Sequence, residues 1–516
     1  MRALLIFVLA ALQAVAASVT TAQYSNSRTN ANTAETVLTP RLVEHHLVYQ
    51  GSWTITGQVY AQPLIVEGVS IGGATRVLVV ATMHNVIYCF NADSPGSAAL
   101  WSTSVGTPRT DYTPQISPTP DEEPEIGCKA TPVIDASAGI VYAVCTLSDK
   151  TIKLFSLNLS DGSTHTTAVT IAGSYGGVTF VGQDHRVRAA LTLANGRVYS
   201  AYAAFWNDTA PYQGWVFVHN ATTLALVGAW ATTPNVNGGG GIWMTGGGLV
   251  VDADGNVYGI TGNSLTESPN GTTIFNQSFF KLTSVGVFSD YMTPANAGTV
   301  LNTEDRDLGS GRILLVGNFV MGGGKDERWW VLNKGALGSE QDTGPGIAQV
   351  WTVGPDFPGG VASGTFGGVA FGNNSLYLGQ RGQPLKRFAW NVSTFNTTAA
   401  ATSVEETDGN FTDYTLAYSS NGSDTTTGII WAVVSLGNAA TVPLPGRLIA
   451  YDSLTLRKLW TSADALGNWA KGSNPTVSSG KVYVATFDNL VKVYGLASGT
   501  SVVSGNVTIS GNVEIR

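Results

Sequence analysis

Charge is scarce in this chain of 516 residues. Charged residues make up 12% of it while hydrophobic residues reach 43%, a balance that excludes a disordered chain, a collagen and a coiled coil. The 27 Lys and Arg against 35 Asp and Glu leave a net charge of −8. With no basic cluster interleaved with aromatics, nucleic acid and anionic membranes are excluded as main partners. Cysteine is nearly absent: only Cys89, Cys128 and Cys145 occur, which rules out a disulfide-stapled scaffold and leaves at least one thiol unpaired. Cys128 and Cys145 flank an expected turn at Ala136–Gly139, compatible with a disulfide or with buried free thiols. No Cys-X-X-Cys, His-Glu-X-X-His, Gly-X-Ser-X-Gly or phosphate-loop motif is present, so the corresponding zinc, hydrolase and nucleotide chemistries find no support. His45 and His46, read as neighbours on a strand, would face opposite sides and share no metal. After residue 17 no run of 18 apolar residues occurs, so no membrane-spanning helix is expected.

What the chain does have begins with its first 17 residues, MRALLIFVLAALQAVAA. One positive charge, a short apolar run and small residues at Val15-Ala16-Ala17 form the layout of a cleavable secretory signal. Eleven Asn-X-Ser/Thr sequons follow, at Asn158, Asn207, Asn220, Asn270, Asn276, Asn373, Asn391, Asn396, Asn410, Asn421 and Asn506. Together these features predict a secreted, extracellular glycoprotein.

Glycine is abundant, at 61 residues, and it punctuates short alternating runs of Val, Tyr, Ile and Leu. The clearest is Lys481-Val-Tyr-Val-Ala-Thr486 with Leu490-Val-Lys-Val-Tyr494. Such runs read as β-strands joined by tight turns. One residue of each expected second strand marks the period: Val79, Tyr142, Tyr199, Tyr258, Val320, Tyr377, Trp431 and Tyr483, spaced 52–63 apart. A unit of this length holds about four strands, the size of a propeller blade. The fourth strand often carries Trp, at Trp101, Trp230, Trp351 and Trp460, placed to pack between neighbouring sheets. The predicted fold is all-β, an eight-bladed β-propeller of four-stranded antiparallel blades. The strand expected at His45–Ile55 completes the last blade and removes its open edge; the alternating segment 505–515 is its rival for that place. The expected organisation is a signal peptide (1–17), an N-terminal extension (18–40), the propeller (41–497) and a tail (498–516).

Several stretches resemble the pyrroloquinoline quinone (PQQ) repeat propellers of the quinoprotein alcohol dehydrogenase-like superfamily. They are Gly57-Gln-Val-Tyr-Ala-Gln-Pro-Leu64, Gly240-Gly-Ile-Trp-Met-Thr-Gly-Gly-Gly248, Asp307-Leu-Gly-Ser-Gly311, and Gly322-Gly-Gly-Lys-Asp326 with Leu332-Asn-Lys-Gly-Ala-Leu337. The resemblance runs from about residue 40 to 497. It implies a ligand site at one mouth of the central channel and, in the catalytic members, PQQ, calcium and an aspartate base. The sequence departs from those enzymes in lacking an adjacent Cys-Cys pair and a Cys-X-X-Cys-His haem motif.

Polar residues expected on inner strands are the site candidates. Asp307 is the candidate catalytic base, and Glu125 the candidate oxygen ligand for calcium. Gln62, His185, Arg188, Trp243 and Lys325 are the candidate cofactor-binding residues. Alternation puts Asp184 and Arg186 on the face opposite His185. Trp243, flanked by seven glycines, is either a wall for a stacked planar ring or simply crowded by blades at the axis. Two functions are expected from different classes. The first is a monomeric binding or scaffold propeller for a small-molecule, carbohydrate or protein ligand at the channel mouth. The second is a PQQ- and calcium-dependent alcohol or sugar dehydrogenase.

Overall fold

The eight second-strand anchors fall where the period puts them. Val79 lies on Ala74–Ala81, Tyr142 on Ile140–Thr146, Tyr199 on Arg197–Ala204 and Tyr258 on Val257–Ile260. Val320 lies on Phe319–Gly322, Tyr377 on Ser375–Gly379, Trp431 on Ile429–Ser435 and Tyr483 on Lys481–Ala485. The computed structural model describes residues 18–111, 124–205, 211–234, 238–264, 266–354, 364–406, 414–437, 439, 443–462 and 466–500. Within them the chain forms an eight-bladed propeller whose blades are antiparallel sheets, most of four strands. Blade 1, for example, is Leu64–Ile71, Ala74–Ala81, Val86–Asn91 and Trp101–Ser104 from the axis outward. The four tryptophans expected on outer strands are all there, on Trp101–Ser104, Leu226–Ala231, Ile347–Thr352 and Lys458–Thr461.

The period-setting tyrosines join one blade to the next. Tyr142 Oη donates to Ala221 O at 3.0 Å, Tyr199 to Ser284 O at 2.9 Å and Tyr258 to Lys334 O at 3.1 Å. Tyr377 donates to Ser453 O at 3.0 Å, and Tyr483 to Ala92 O at 3.1 Å. Each acceptor lies in the turn between the third and fourth strands of the following blade. A buried phenol thus keeps its hydrogen bond while its ring fills the seam between sheets.

Ring closure uses the N-terminal strand. Leu47–Thr54 pairs antiparallel with Leu490–Leu496, from Leu47↔Leu496 to Thr54↔Leu490, and becomes the outermost strand of blade 8. Trp53 wedges between the end blades, 6.1 Å from Tyr483 and 6.0 Å from Phe90 between ring centroids, with Nε1 donating to Ser94 O at 3.1 Å. The rival segment 505–515 and the leader 1–17 lie outside the described residues. The expected start of this strand is corrected: His45 and His46 end a short helix, Pro40–His46. Thr39 caps it, accepting from the Leu42 amide, and Pro40 occupies its first turn, the ordinary start signal that the strand reading overrode.

The extension ahead of that helix is a strap inside the channel. Residues 18–32 hydrogen-bond to the innermost strand of every blade in turn. Val19 pairs with Ile65, Thr20 O accepts from Ile134 N, and Asn26 Nδ2 donates to Leu193 O. The Asn26, Ser27, Thr29 and Asn30 carbonyls accept from the amides of Val251, Leu315, Phe371 and Tyr418, and Asn32 Nδ2 donates to Val477 O. The carbonyls and amides of inner strands, which face only the axis, are satisfied this way. Arg28 anchors the strap with no exposed surface. Its guanidinium donates to Leu249 O, Thr21 Oγ1, Ala22 O, Leu191 O and Thr192 Oγ1 over 2.6–3.2 Å. Burial without a carboxylate partner lowers its pKa to about 9.

Arg28→Ala would take the guanidinium donor from Thr21 Oγ1, Ala22 O and Leu191 O, leave Leu249 O with only Thr192 Oγ1, and open a cavity. An expected loss of about 3–5 kcal/mol follows, read as a lower urea midpoint at unchanged slope. Wild-type stability in this variant would contradict the strap's structural role.

Candidate functional site

Antiparallel succession gives the two mouths different parts. Turns between first and second strands, and between third and fourth, lie on the strap side. The loops that enter inner strands, and those between second and third strands, lie on the other. Trp243, Asp307, Lys325 and Arg188 belong to that second mouth.

Trp243 stands in the loop entering blade 4, with 7% of its surface exposed, packed on Ala203, Ala204 and Tyr212. The glycines around it admit backbone contacts from three blades. Ile242 N donates to Tyr202 O, Gly262 N to Gly241 O and Met244 N to Gly309 O. Gly262 decides the meeting of the site's parts, because a Cβ there would strike both Asp307 Oδ1 and the Trp243 pyrrole edge. Indole and carboxylate therefore share one missing methyl group. The Trp243 Nε1–H is buried with no partner. The Arg188 guanidinium lies 5.0 Å and that of Arg186 5.9 Å from the indole centroid, cation–π distances.

Lys325 joins two carboxylates. Its Nζ is 2.6 Å from Asp307 Oδ2, 3.1 Å from Asp305 Oδ2 and 3.1 Å from Asp305 O. Asn263 bridges the same pair, its amide donating to Asp307 Oδ1 at 2.8 Å and its Nδ2 to Asp305 Oδ1 at 2.6 Å. Asn263 Oδ1 remains, buried and without a partner. The two aspartates differ in access: 5% of the Asp307 side chain is exposed, against 56% for Asp305. Loss of solvation, then the neighbouring Asp307 charge, pushes the Asp305 carboxyl up to about 6. Asp305 also holds a left-handed backbone conformation at φ 54°.

Beside Trp243 a small recess of about 10 Å³ opens to solvent, lined by Tyr60, Lys129, Arg188, Thr245, Gly246, Lys471 and Gly472. Among the described residues its lining carries three cations and no carboxylate. Lys129 Nζ sits 4.2 Å from the Tyr60 ring centroid, and a disulfide between Cys128 and Cys145 fixes the loop that carries it. Cys89 is the free, buried thiol. Buried Arg312 builds the floor, donating to Thr245 O at 3.0 Å, Asn474 Oδ1 at 2.6 Å and Gly472 O at 3.2 Å.

The structure thus brings Trp243, Arg188, Asp307 and Lys325 together. Three other candidates stand apart. Gln62 lies below the floor, accepting from Asn474 Nδ2 and from the Gln23 amide of the strap while donating to Thr476 Oγ1. His185 turns away from Arg186, as strand alternation requires. Its Nδ1 faces Val181 O at 2.7 Å, its Nε2 accepts from the Gln213 amide, and its ring lies on Phe180 at 4.5 Å, so neither nitrogen is left for a ligand. Glu125 pairs with His84, both carboxylate oxygens 2.9 Å from Nδ1. Asp305, Asn263 and Lys471 were not among the expected site residues. The Asp305-Arg-Asp307 spacing, with two carboxylates one residue apart, was the available signal.

No family model and no curated protein matches the sequence. Solved structures do match the fold. A quinohemoprotein alcohol dehydrogenase from Pseudomonas putida HK5 aligns with TM-score 0.64 at 12% identity, over 96% of this chain and 82% of that one. The quinohemoprotein alcohol dehydrogenase of Comamonas testosteroni gives 0.62 at 13%, over the same shares. A europium-containing methanol dehydrogenase gives 0.61 at 10%, over 93% and 98%. The chain shares the eight-bladed propeller fold of these structures.

Burial lowers the His185 pKa to about 4 from an ordinary 6.5. The stabilisation of its neutral ring is complete above pH 6.5 and is lost as pH falls toward 4, about 3 kcal/mol at 1.36 kcal/mol per unit. Thermal unfolding between pH 7.5 and 4.5 is expected to show a falling Tm, shallower in His185→Asn. An unchanged slope in that variant would contradict the assignment.

Proposed function

We propose that this protein is a secreted oxidoreductase of alcohols or sugars that works with PQQ and a divalent cation, calcium first, in the funnel described above. The observation that carries the reading is the convergence of Trp243 and the Asp305–Asn263–Asp307–Lys325 cluster on one mouth beside a cationic recess. PQQ is a planar ortho-quinone bearing carboxylates, and the recess opposes such charges with Lys129, Arg188 and Lys471. The Trp243 indole, 7% exposed behind Arg188, brings an N–H donor without a partner to the edge of the recess. The orphaned Asn263 Oδ1 beside two carboxylates is an oxygen donor set suited to a hard cation.

When bound, the quinone supplies the two-electron acceptor. The chain's own residues do the rest. Asp305, the open carboxylate with its pKa pushed up to about 6, takes the proton of the substrate hydroxyl, a task suited to a group titrating near neutrality. Asp307, named from sequence as the base, is closed in by Lys325 and the Asn263 amide. It sets the charge and position of Lys325, which in turn orients Asp305. Arg312 and the strap close the floor, so ligand enters and leaves through one mouth. With no haem-binding motif in the chain, electrons leave to a separate acceptor.

Titration of the purified protein with PQQ and calcium, followed by Trp fluorescence, is expected to give saturable quenching, and dye reduction with an alcohol and sugar panel should follow. Arg188→Ala should weaken PQQ binding by about tenfold to a hundredfold, the scale of a hydrogen-bonded charge. Asp305→Asn should lower turnover by about a hundredfold or more and leave PQQ affinity within about tenfold. Absence of PQQ binding at micromolar concentration would reject the enzyme and leave a binding propeller for a carbohydrate or protein ligand.

A further inference from the structure

Eight of the eleven sequons lie at described residues, and the fold sorts them by face. Asn158, Asn220 and Asn391 each end the third strand of a blade, on Ile152–Asn158, Trp215–Asn220 and Pro384–Asn391. Asn396 follows in the turn to the fourth strand of blade 6. Asn373 and Asn421 sit in turns between first and second strands, after Gly368–Gly372 and Thr415–Ser419. Both kinds of turn belong to the strap side of the propeller. Asn391, Asn396 and Asn421 are exposed, and Asn158, Asn220 and Asn373 partly so.

The remaining two differ. Asn270 is exposed in the second–third loop of blade 4, and its neighbour Gly271 packs against the hydroxyl of Tyr291 on the outer strand Phe288–Thr293, at the outer edge of the mouth face. Asn276, between the second and third strands of blade 4, has no exposed surface. Its Nδ2 donates to Glu267 O at 2.7 Å, and Gln277 and Ser278 beside it are equally buried. A sugar on that nitrogen would have to pass through packed protein.

We infer that N-glycans clothe the strap face, at Asn158, Asn220, Asn391, Asn396 and Asn421, with one more at the outer edge of the mouth face on Asn270, while Asn373, whose Nδ2 donates to the buried Tyr418 hydroxyl, stays bare. Asn276 stays unmodified, and among the described residues no glycan reaches the recess mouth. The inference rests on the secretory reading and names its modification sites. It keeps the described sugars off the recess itself, while the face already sealed by the strap carries most of them.

The test is site mapping on the full chain secreted from cultured eukaryotic cells. Glycans are released with a peptide N-glycosidase in heavy-oxygen water, and the labelled Asp residues are located by peptide mass spectrometry. Label at most of the five strap-face sites, with Asn276 and Asn373 unlabelled, is the expected result. Label at Asn276 or Asn373, or strap-face sites largely bare in a secreted chain cleaved after Ala17, overturns the placement while leaving secretion intact. A chain retained in the cell with residues 1–17 attached refutes the secretory reading, and the placement falls with it.

Discussion

A ring of sheets closes only if its last sheet can complete itself from the other end of the chain. Here Leu47–Thr54 supplies that strand to blade 8, and the closure joins residues more than 400 positions apart. The entropy of closing so long a loop grows slowly with its length, so a short set of contacts suffices. Trp53 between Tyr483 and Phe90, with the Tyr483 hydroxyl on Ala92 O, is that set. Once blade 8 meets blade 1, eight inner strands face one axis, and loops distant in sequence share one mouth.

Closure creates a second need. Eight inner strands present backbone groups to the axis, and the strap answers them blade by blade. It also makes the channel blind. Arg312, Asn474, Gln62 and Gln23 link the floor of the recess to the strap, so the walls of the site and the seal beneath it are one hydrogen-bonded unit. Such a unit holds cationic side chains in place before a ligand arrives, which lowers the ordering cost of binding.

The fold was legible because its period is written in residues that do one repeated job. Tyr142, Tyr199, Tyr258, Tyr377 and Tyr483 recur because each reaches the next blade; Val79 and Val320 keep the place with packing, and Trp431 with packing and an Nε1–H bond to Ser419 Oγ of its own blade. The strap left no such trace. Its bonds are made by backbone and by scattered Asn, Tyr24 and Arg28 side chains, which need no periodicity, and only a lone Arg28 in an uncharged stretch hints at burial. In the site, Trp243, Asp307, Lys325 and Arg188 stood out because Gly-rich or strand context marks them. Asn263 and Asp305 did not, since Asn263, in a second–third loop, and Asp305, in the loop entering blade 5, meet only in the closed ring. Gln62, His185 and Glu125 were polar residues near inner strands whose partners lie inside the fold, at Gln23, Val181 and His84.

The account stands on the funnel being built for a planar anionic quinone beside an oxygen-ligated cation. A crystal structure of the protein soaked with PQQ and calcium tests this most directly. The account predicts the quinone ring lying along Trp243, its carboxylates against Arg188, Lys129 and Lys471, and a cation on Asn263 Oδ1. Density for the quinone elsewhere on the propeller, or an unchanged Arg188–Trp243 contact with neither ligand present at saturating concentration, would contradict it.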